Sequence, residues 1–281
     1  MVEIKLVLVY NIRVKGVIAM LTKEQLKHSI DKYGDSFKLV NRLGITEEEI
    51  TEVVVLAPWW HPNKLYNNYD CKIELLSDEF PDVHRITYNN KSFLHIRSYV
   101  GATNVGETVL LLSFTKCKRI IFVGSVGSIS NDVNIGDLLI PSISVSGEAF
   151  SSYMYETINK ESLHKEYHPT MKLYNDTINY LKNENIDYKD IKVYSVDTIA
   201  GQFAHIEEIL NLGCKAIEME TSALFSACQV AEKDCVALLV VSDNTVQNKS
   251  LISGRTDGDM KKYQHTRYNI IPKILFSLML E

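Results

Sequence analysis

Two stretches of this chain are apolar at every position and then stop on small polar residues. Ile120-Ile121-Phe122-Val123 runs into Gly124-Ser125-Val126-Gly127-Ser128, and Val236-Ala237-Leu238-Leu239-Val240-Val241 runs into Ser242-Asp243-Asn244. A strand with one face in water alternates apolar and polar side chains. A strand that does not alternate is buried on both faces, as in a mostly parallel sheet covered by helices. Further runs rich in β-branched residues fall at 53–57, 93–100, 136–142 and 191–196, beside those at 119–124 and 235–242. Helical patterns at 105–116, 170–184, 205–212, 219–233 and 259–280 fill most of the gaps, and this alternation predicts an α/β fold. Capping boxes, Thr22 with Gln25 and Thr46 with Glu49, predict two earlier helices. With no internal repeat and no long linker, the expected organisation is an N-terminal extension, 1–50, followed by one domain, 51–281.

Composition narrows the function classes. Hydrophobic residues make up 46% and charged residues 23% of 281, with 13 Gly and 6 Pro, which is a globular and not a disordered chain. A chain of this length builds a core without disulfides or metals. Its 30 Lys+Arg against 35 Asp+Glu give a net charge of -5, so the broad basic face that nucleic acid requires is not expected. The five cysteines are odd in number, lack C-x-x-C spacing and lie mostly among apolar residues, as buried thiols of a reducing cytosol do. A cytoplasmic location follows as the expectation. The N-terminal run KLVLVYNIRVKGVIAML is interrupted by Asn11, Arg13 and Lys15, short of the ~20 apolar residues of a membrane span. It is read as neither signal peptide nor anchor, and no membrane partner is expected.

Three segments could carry chemistry. Gly124, Ser125, Gly127 and Ser128 follow a buried strand, where ligands collect in open α/β sheets and glycines let backbone N–H groups approach an anion or a sugar. A tight turn needing positive φ explains such glycines equally well. In AIEMETSALFSAC, Glu218 and Glu220 flank Met219 at the opening of an amphipathic helix. Capping is the bland account of Glu218, which is also a candidate for substrate binding. Glu220 opens a helix whose Ala223, Leu224 and Ala227 look buried, and a buried carboxylate needs donors such as a sugar diol. Asp243 closes the second apolar strand, where desolvation would raise its pKa toward general-acid work; an Asx turn or a cap is the alternative. His164 and His168 stand four apart without a third ligand, so no metal site is expected. Trp59-Trp60 ends the run at 53–57 as either core or a stacking wall.

The order of these segments, strand to G-S-x-G, then I-G-D-x-x-I at 135–140, then E-M-E, then a strand ending in S-D, resembles the nucleoside phosphorylase and nucleosidase superfamily. That superfamily includes purine nucleoside phosphorylase, uridine phosphorylase and methylthioadenosine/adenosylhomocysteine nucleosidase. The resemblance covers residues 50–275 and implies a three-layer α/β/α single domain around a central mixed, partly barrel-like sheet. It implies homo-oligomers (dimer, trimer or hexamer) with sites near subunit interfaces. It further implies that Glu220 and Met219 grip the ribose, that Asp243 protonates the departing purine, and that Ser125 with the Gly124 backbone binds an anion. A dinucleotide-binding fold would need G-x-G-x-x-G spacing and a later acid, which this chain lacks.

Departures from the family pattern shape the rest of the expectation. Where phosphorylases of this kind carry G-D-P-x-R, this chain has Trp60-His61-Pro62-Asn63-Lys64, so Lys64 would replace the arginine as a point charge. A second phosphate arginine would stand at Phe122. The segment GVIAMLTKE is similar to the stretch in which nucleosidases hold a water, and nominates Glu24. VDTIAGQFA matches the uridine phosphorylase stretch at Gln202 but has Ala204 where an arginine is expected. Arg255 falls where purine phosphorylases have a residue assisting the acid. The expectation is phosphorolysis of a purine nucleoside, with inorganic phosphate as co-substrate and no other cofactor. The alternatives are phosphate-independent hydrolysis, or a nucleoside-binding protein that has lost its phosphate site.

Overall fold

The computed structural model describes residues 18–34, 39–79 and 81–280. In chain order its elements are α1 Lys23–Tyr33, β1 Val53–Leu56, α2 Pro62–Leu65, β2 Lys72–Ser77, β3 Asp82–Tyr88, β4 Lys91–Arg97, α3 Ala102–Leu111 and β5 Arg119–Ser128. There follow β6 Leu138–Leu139, β7 Ile143–Gly147, β8 Glu166–Tyr167, α4 Met171–Asn183, β9 Lys192–Val196 and α5 Ile206–Asn211. The chain ends through β10 Ala216–Glu218, α6 Thr221–Ala231, β11 Asp234–Asn244, α7 Asp257–His265 and α8 Ile271–Leu280.

The two all-apolar runs are the middle of the sheet. β5 and β11 lie parallel along their whole length, from Arg119 beside Asp234 to Ser128 beside Asn244. The other edge of β5 is shared: β1 pairs in parallel with Arg119–Phe122, and β10 pairs antiparallel with Gly127 and Ser128. The strand order is β2-β3-β4-β1-β5-β10-β9-β7-β8, with β11 on β5 and β6 on β11. The sheet is therefore mixed, and it does not close into a barrel. Helices cover both faces: α3 packs on α6, which also contacts β7 and β11, while α4 packs on α8 and β11. Among the described residues no helix is long and apolar enough to cross a membrane.

Local details depart from the sequence expectations for identifiable reasons. The strand expected to stop at 124 continues to Ser128, because β10 and β11 keep supplying partners beyond Gly124. Gly124 and Gly127 are thus strand residues and not positive-φ turn residues. Thr46 and Glu49 do form a capping box, yet it closes only a three-residue 3-10 turn before the chain enters β1. Thr22 and Gln25 cap a full helix. Val40, Leu43, Ile45 and Ile50 are buried in the same core as the sheet strands. Residues 5–17 of the apolar N-terminal run lie outside the described residues.

Candidate active site

The carboxyl ends of β5, β10 and β11 open on one cavity of about 320 Å³. It is lined by Gly124, Ser125, Gln202, Glu218, Met219, Glu220, Asp243 and Arg255, brought together from well-separated stretches of chain. Lys64 is not among the lining residues; it is exposed on α2.

The two glutamates beside Met219 do different work. Glu218 ends β10 and spends both carboxylate oxygens on the start of α6. One accepts the backbone N–H groups of Glu220 and Thr221, each at 2.7 Å. The other accepts the hydroxyls of Thr221, at 2.7 Å, and Ser195. Four donors on one carboxylate make a helix cap, favoured further by the positive end of the helix dipole. Burial nonetheless raises the Glu218 pKa.

Glu220, the residue preceding α6, is 6% exposed and accepts the backbone N–H groups of Gly101 at 2.8 Å and Met219 at 3.2 Å. Gly101 opens α3 at φ +106, a conformation that L side chains rarely adopt, and so aims its N–H at the carboxylate. Burial, and then the neighbouring charge of Glu218, push the Glu220 pKa well up. An ionised Glu220 has acceptor capacity toward the cavity that no side-chain donor among the described residues fills. Hydroxyl donors from a ligand would stabilise the charged form.

Asp243 stands past a bulge between Val241 and Asp243, a device that re-aims a side chain at the end of a strand. The Ser242 hydroxyl donates to it at 2.6 Å. Burial raises its pKa, while Ser242 and the Arg255 charge pull it back. Gly127 lies opposite, and a Cβ there would sit 3.0 Å from the Asp243 carboxylate, so the strand has to be bare at that point. Buried Asn244 pins the strand end by donating to Ser128 Oγ and to the carbonyls of Ser130 and Val133 at 2.8–3.1 Å. Arg255 donates to the Ser242 carbonyl at 3.3 Å and the Leu251 carbonyl at 2.5 Å, spanning the loop beside the acid.

With this geometry established, likeness to known proteins becomes informative. The sequence model of the Phosphorylase superfamily matches residues 64–265. The chain belongs to this superfamily. A DeoD-type purine nucleoside phosphorylase of Bacillus velezensis is 24% identical over 163 residues, which is 57% of this chain and 67% of that protein. Two further DeoD-type phosphorylases are matched over 59% of their own length. An aminodeoxyfutalosine nucleosidase of Helicobacter pylori is 23% identical over 221 residues, 73% of this chain and 93% of that protein. Among solved structures, a Toxoplasma gondii purine nucleoside phosphorylase in complex with immucillin-H superposes with TM-score 0.70 at 18% identity. The superposition covers 85% of this chain and 95% of that one.

Within this phosphorylase-superfamily chain, several expectations need correcting. Lys64, expected as the phosphate cation, is exposed on α2 and is not among the residues that line the cavity. Glu24 is exposed on the first turn of α1 and does not line the cavity either. Phe122 is buried under Gly124, whose Cβ would clash with its ring at 2.9 Å, so the position fills core. The tryptophans divide: Trp60 is 3% exposed and Trp59 65%, and both line the cavity.

Sequence reasoning missed Gly101, Tyr263 and Arg267, all at or beside the site. Gly101 precedes a helix as many N-caps do. Tyr263 and Arg267 sit in a polar helical stretch whose pattern reads as solvated surface.

Among the described residues, His61, Asp82 and His84 form a cluster of metal-ligand type. Arg97 already donates to Asp82 at 3.2 Å, so a guanidinium supplies the positive charge there. Burial holds both histidines below their usual pKa.

Proposed function

We propose that this protein cleaves the N-glycosidic bond of a purine nucleoside by phosphorolysis, yielding free base and ribose 1-phosphate. The carrying observation is that one cavity holds a buried carboxylate with open acceptor capacity, Glu220, a strand-end acid with a raised pKa, Asp243, and the Ser125 hydroxyl. Bond cleavage passes through an oxocarbenium-like sugar, which calls for a held diol, a proton for the leaving base and an anionic nucleophile beneath the ring.

On this reading Glu220 accepts hydrogen bonds from the sugar hydroxyls, with Met219 packed against the ribose. A phosphate oxygen forms a bond to C1′ as the bond from C1′ to the base nitrogen breaks. The bonding pair leaves with the base, and Asp243 gives its proton to the imidazole-ring nitrogen of the purine. Solvent then reprotonates Asp243. Gln202 faces the base, and Arg255 steadies the loop beside the acid. The protein acts as a cytoplasmic homo-oligomer on small molecules, with phosphate as co-substrate and no further cofactor. Phosphate-independent hydrolysis is a second reading, favoured by the nucleosidase matched over 93% of its length.

Chromatography of adenosine, inosine, guanosine, uridine and methylthioadenosine incubated with and without phosphate tests the proposal. Purine release that needs phosphate and yields ribose 1-phosphate supports it. Equal release without phosphate replaces it with hydrolysis. Nucleoside binding by calorimetry with no base released over hours replaces it with a binding protein.

A further inference from the structure

The helix α7 does not run straight into α8. Between them Thr266–Ile270 makes one π turn, the widened turn that recurs at functional sites because it redirects side chains from the α-helical period. Thr266 anchors the turn by donating to the Gly136 carbonyl at 2.7 Å. Gly136, at φ +89, sits so close under Lys262 that a Cβ would lie 2.5 Å from that side chain. This fit holds the turn against the connection from β5 to β6. Tyr263 of α7 and Arg267 of the turn, four residues apart, both line the cavity.

Arg267 is built into that wall. Its guanidinium lies 4.5 Å from the Trp60 ring centroid and 5.0 Å from that of Tyr268. Aromatic rings hold a guanidinium by its flat face and leave the N–H edge for a ligand. Trp60 is fixed in turn, since buried neutral His95 donates from Nε2 to its carbonyl at 2.8 Å and accepts from Tyr66 at Nδ1, 3.0 Å away. Arg267 Nη1 donates to Tyr263 Oη at 3.3 Å, whereas Arg267 Nε is buried with no partner among the described residues. Among the described residues Arg267 makes no ion pair. A desolvated, unanswered N–H on a fixed cation is costly, and an oxyanion seated on the guanidinium edge would relieve it.

The hydroxyls of Tyr263 and Ser125 extend the same edge. Tyr263 Oη and Ser125 Oγ are 2.9 Å apart. Arginine can only donate, so Tyr263 accepts from Arg267 and has its own proton for Ser125. That leaves the Ser125 proton for a ligand oxygen.

We propose that Arg267, together with Ser125, holds inorganic phosphate as the second substrate of the phosphorolysis proposed above, on which reading this inference rests. Arg267 and Trp60 both lie outside residues 64–265 matched by the family, so the assignment comes from the geometry of this chain. It supplies the bidentate cation that the exposed Lys64 and the buried Phe122 do not.

The test is calorimetric titration of inorganic phosphate into the full-length protein, with nucleoside turnover measured against phosphate concentration. Arg267→Gln should raise the phosphate Kd and the phosphate KM by about ten- to a hundredfold, the range for a hydrogen bond to a charged group. The nucleoside KM at saturating phosphate should move less than about threefold, within the usual spread of an uncoupled change. Arg267→Lys keeps the charge but loses the fork and should fall between. Tyr263→Phe, which breaks the link to Ser125 without touching the charge, provides the same readout if Arg267→Gln does not fold. Phosphate constants unchanged in these variants, in a protein that needs phosphate, would overturn the role of Arg267 and leave phosphorolysis standing. A wild-type protein that takes up no phosphate and releases base at the same rate without it overturns phosphorolysis, and this assignment with it.

Discussion

Asp243 and Glu220 are two carboxylates raised by burial, and the proposed chemistry asks for opposite protonation states from them. Asp243 must carry a proton to give to the base. Asp243→Asn should cut kcat by about two to four orders of magnitude, the usual worth of general-acid help, measured by base release with folding checked by circular dichroism. Wild-type activity should fall as pH rises through the raised Asp243 pKa, and this alkaline fall should be missing from the residual activity of the variant. Glu220 must be ionised to accept from hydroxyls. Because its pKa is raised in the free protein and a bound diol would favour the charged form, nucleoside binding near neutral pH should release protons. Calorimetry in buffers of different ionisation enthalpy measures that release, and Glu220→Gln should abolish it.

The β10–α6 connection shows why two acids with one residue between them had to be separated by structure. Glu218 answers three donors at the start of α6 and the Ser195 hydroxyl of β9, so Glu218→Ala should destabilise the protein by about 2–4 kcal/mol, with a lower urea midpoint and an unchanged slope. That capping role was legible from position alone, as were β5 and β11, whose unbroken apolar runs admit no exposed face. β2 and β3 were not legible: Lys72, Glu74, Asp82, His84 and Arg85 interrupt them as they would a surface loop, and only the pairing of the two strands, with Val83 and Ile86 turned into the core, shows the hairpin. The extension of β5 through Gly124 and Gly127 was hidden because glycine signals turns, and only the approach of Asp243 explains the bare strand. The π turn left no trace in sequence, since an inserted residue keeps the helical composition and changes only direction. Arg267 was therefore indistinguishable from a solvated helix arginine.

At the scale of the molecule, the mouth of the cavity is rimmed by exposed Trp59, Ile199 and Leu251, 56–65% accessible in the single chain. The proposed homo-oligomer would place such residues near a subunit contact, and light scattering should return a multiple of the 32.0 kDa chain mass. A monomeric mass at assay concentrations would remove that proposal. The sheet also has a seam. β1 and β10 each attach to β5 and not to one another, so among the described strands β5 alone joins β1–β4 to β7–β10. Neither group can peel away without exposing an edge of the strand that the other depends on. The amides of Val123–Gly127 should consequently be the last in the protein to exchange with deuterium, at a rate set by global unfolding, while those of the edge strand β2 exchange through local opening. A domain stitched along one strand in this way has no half that melts first.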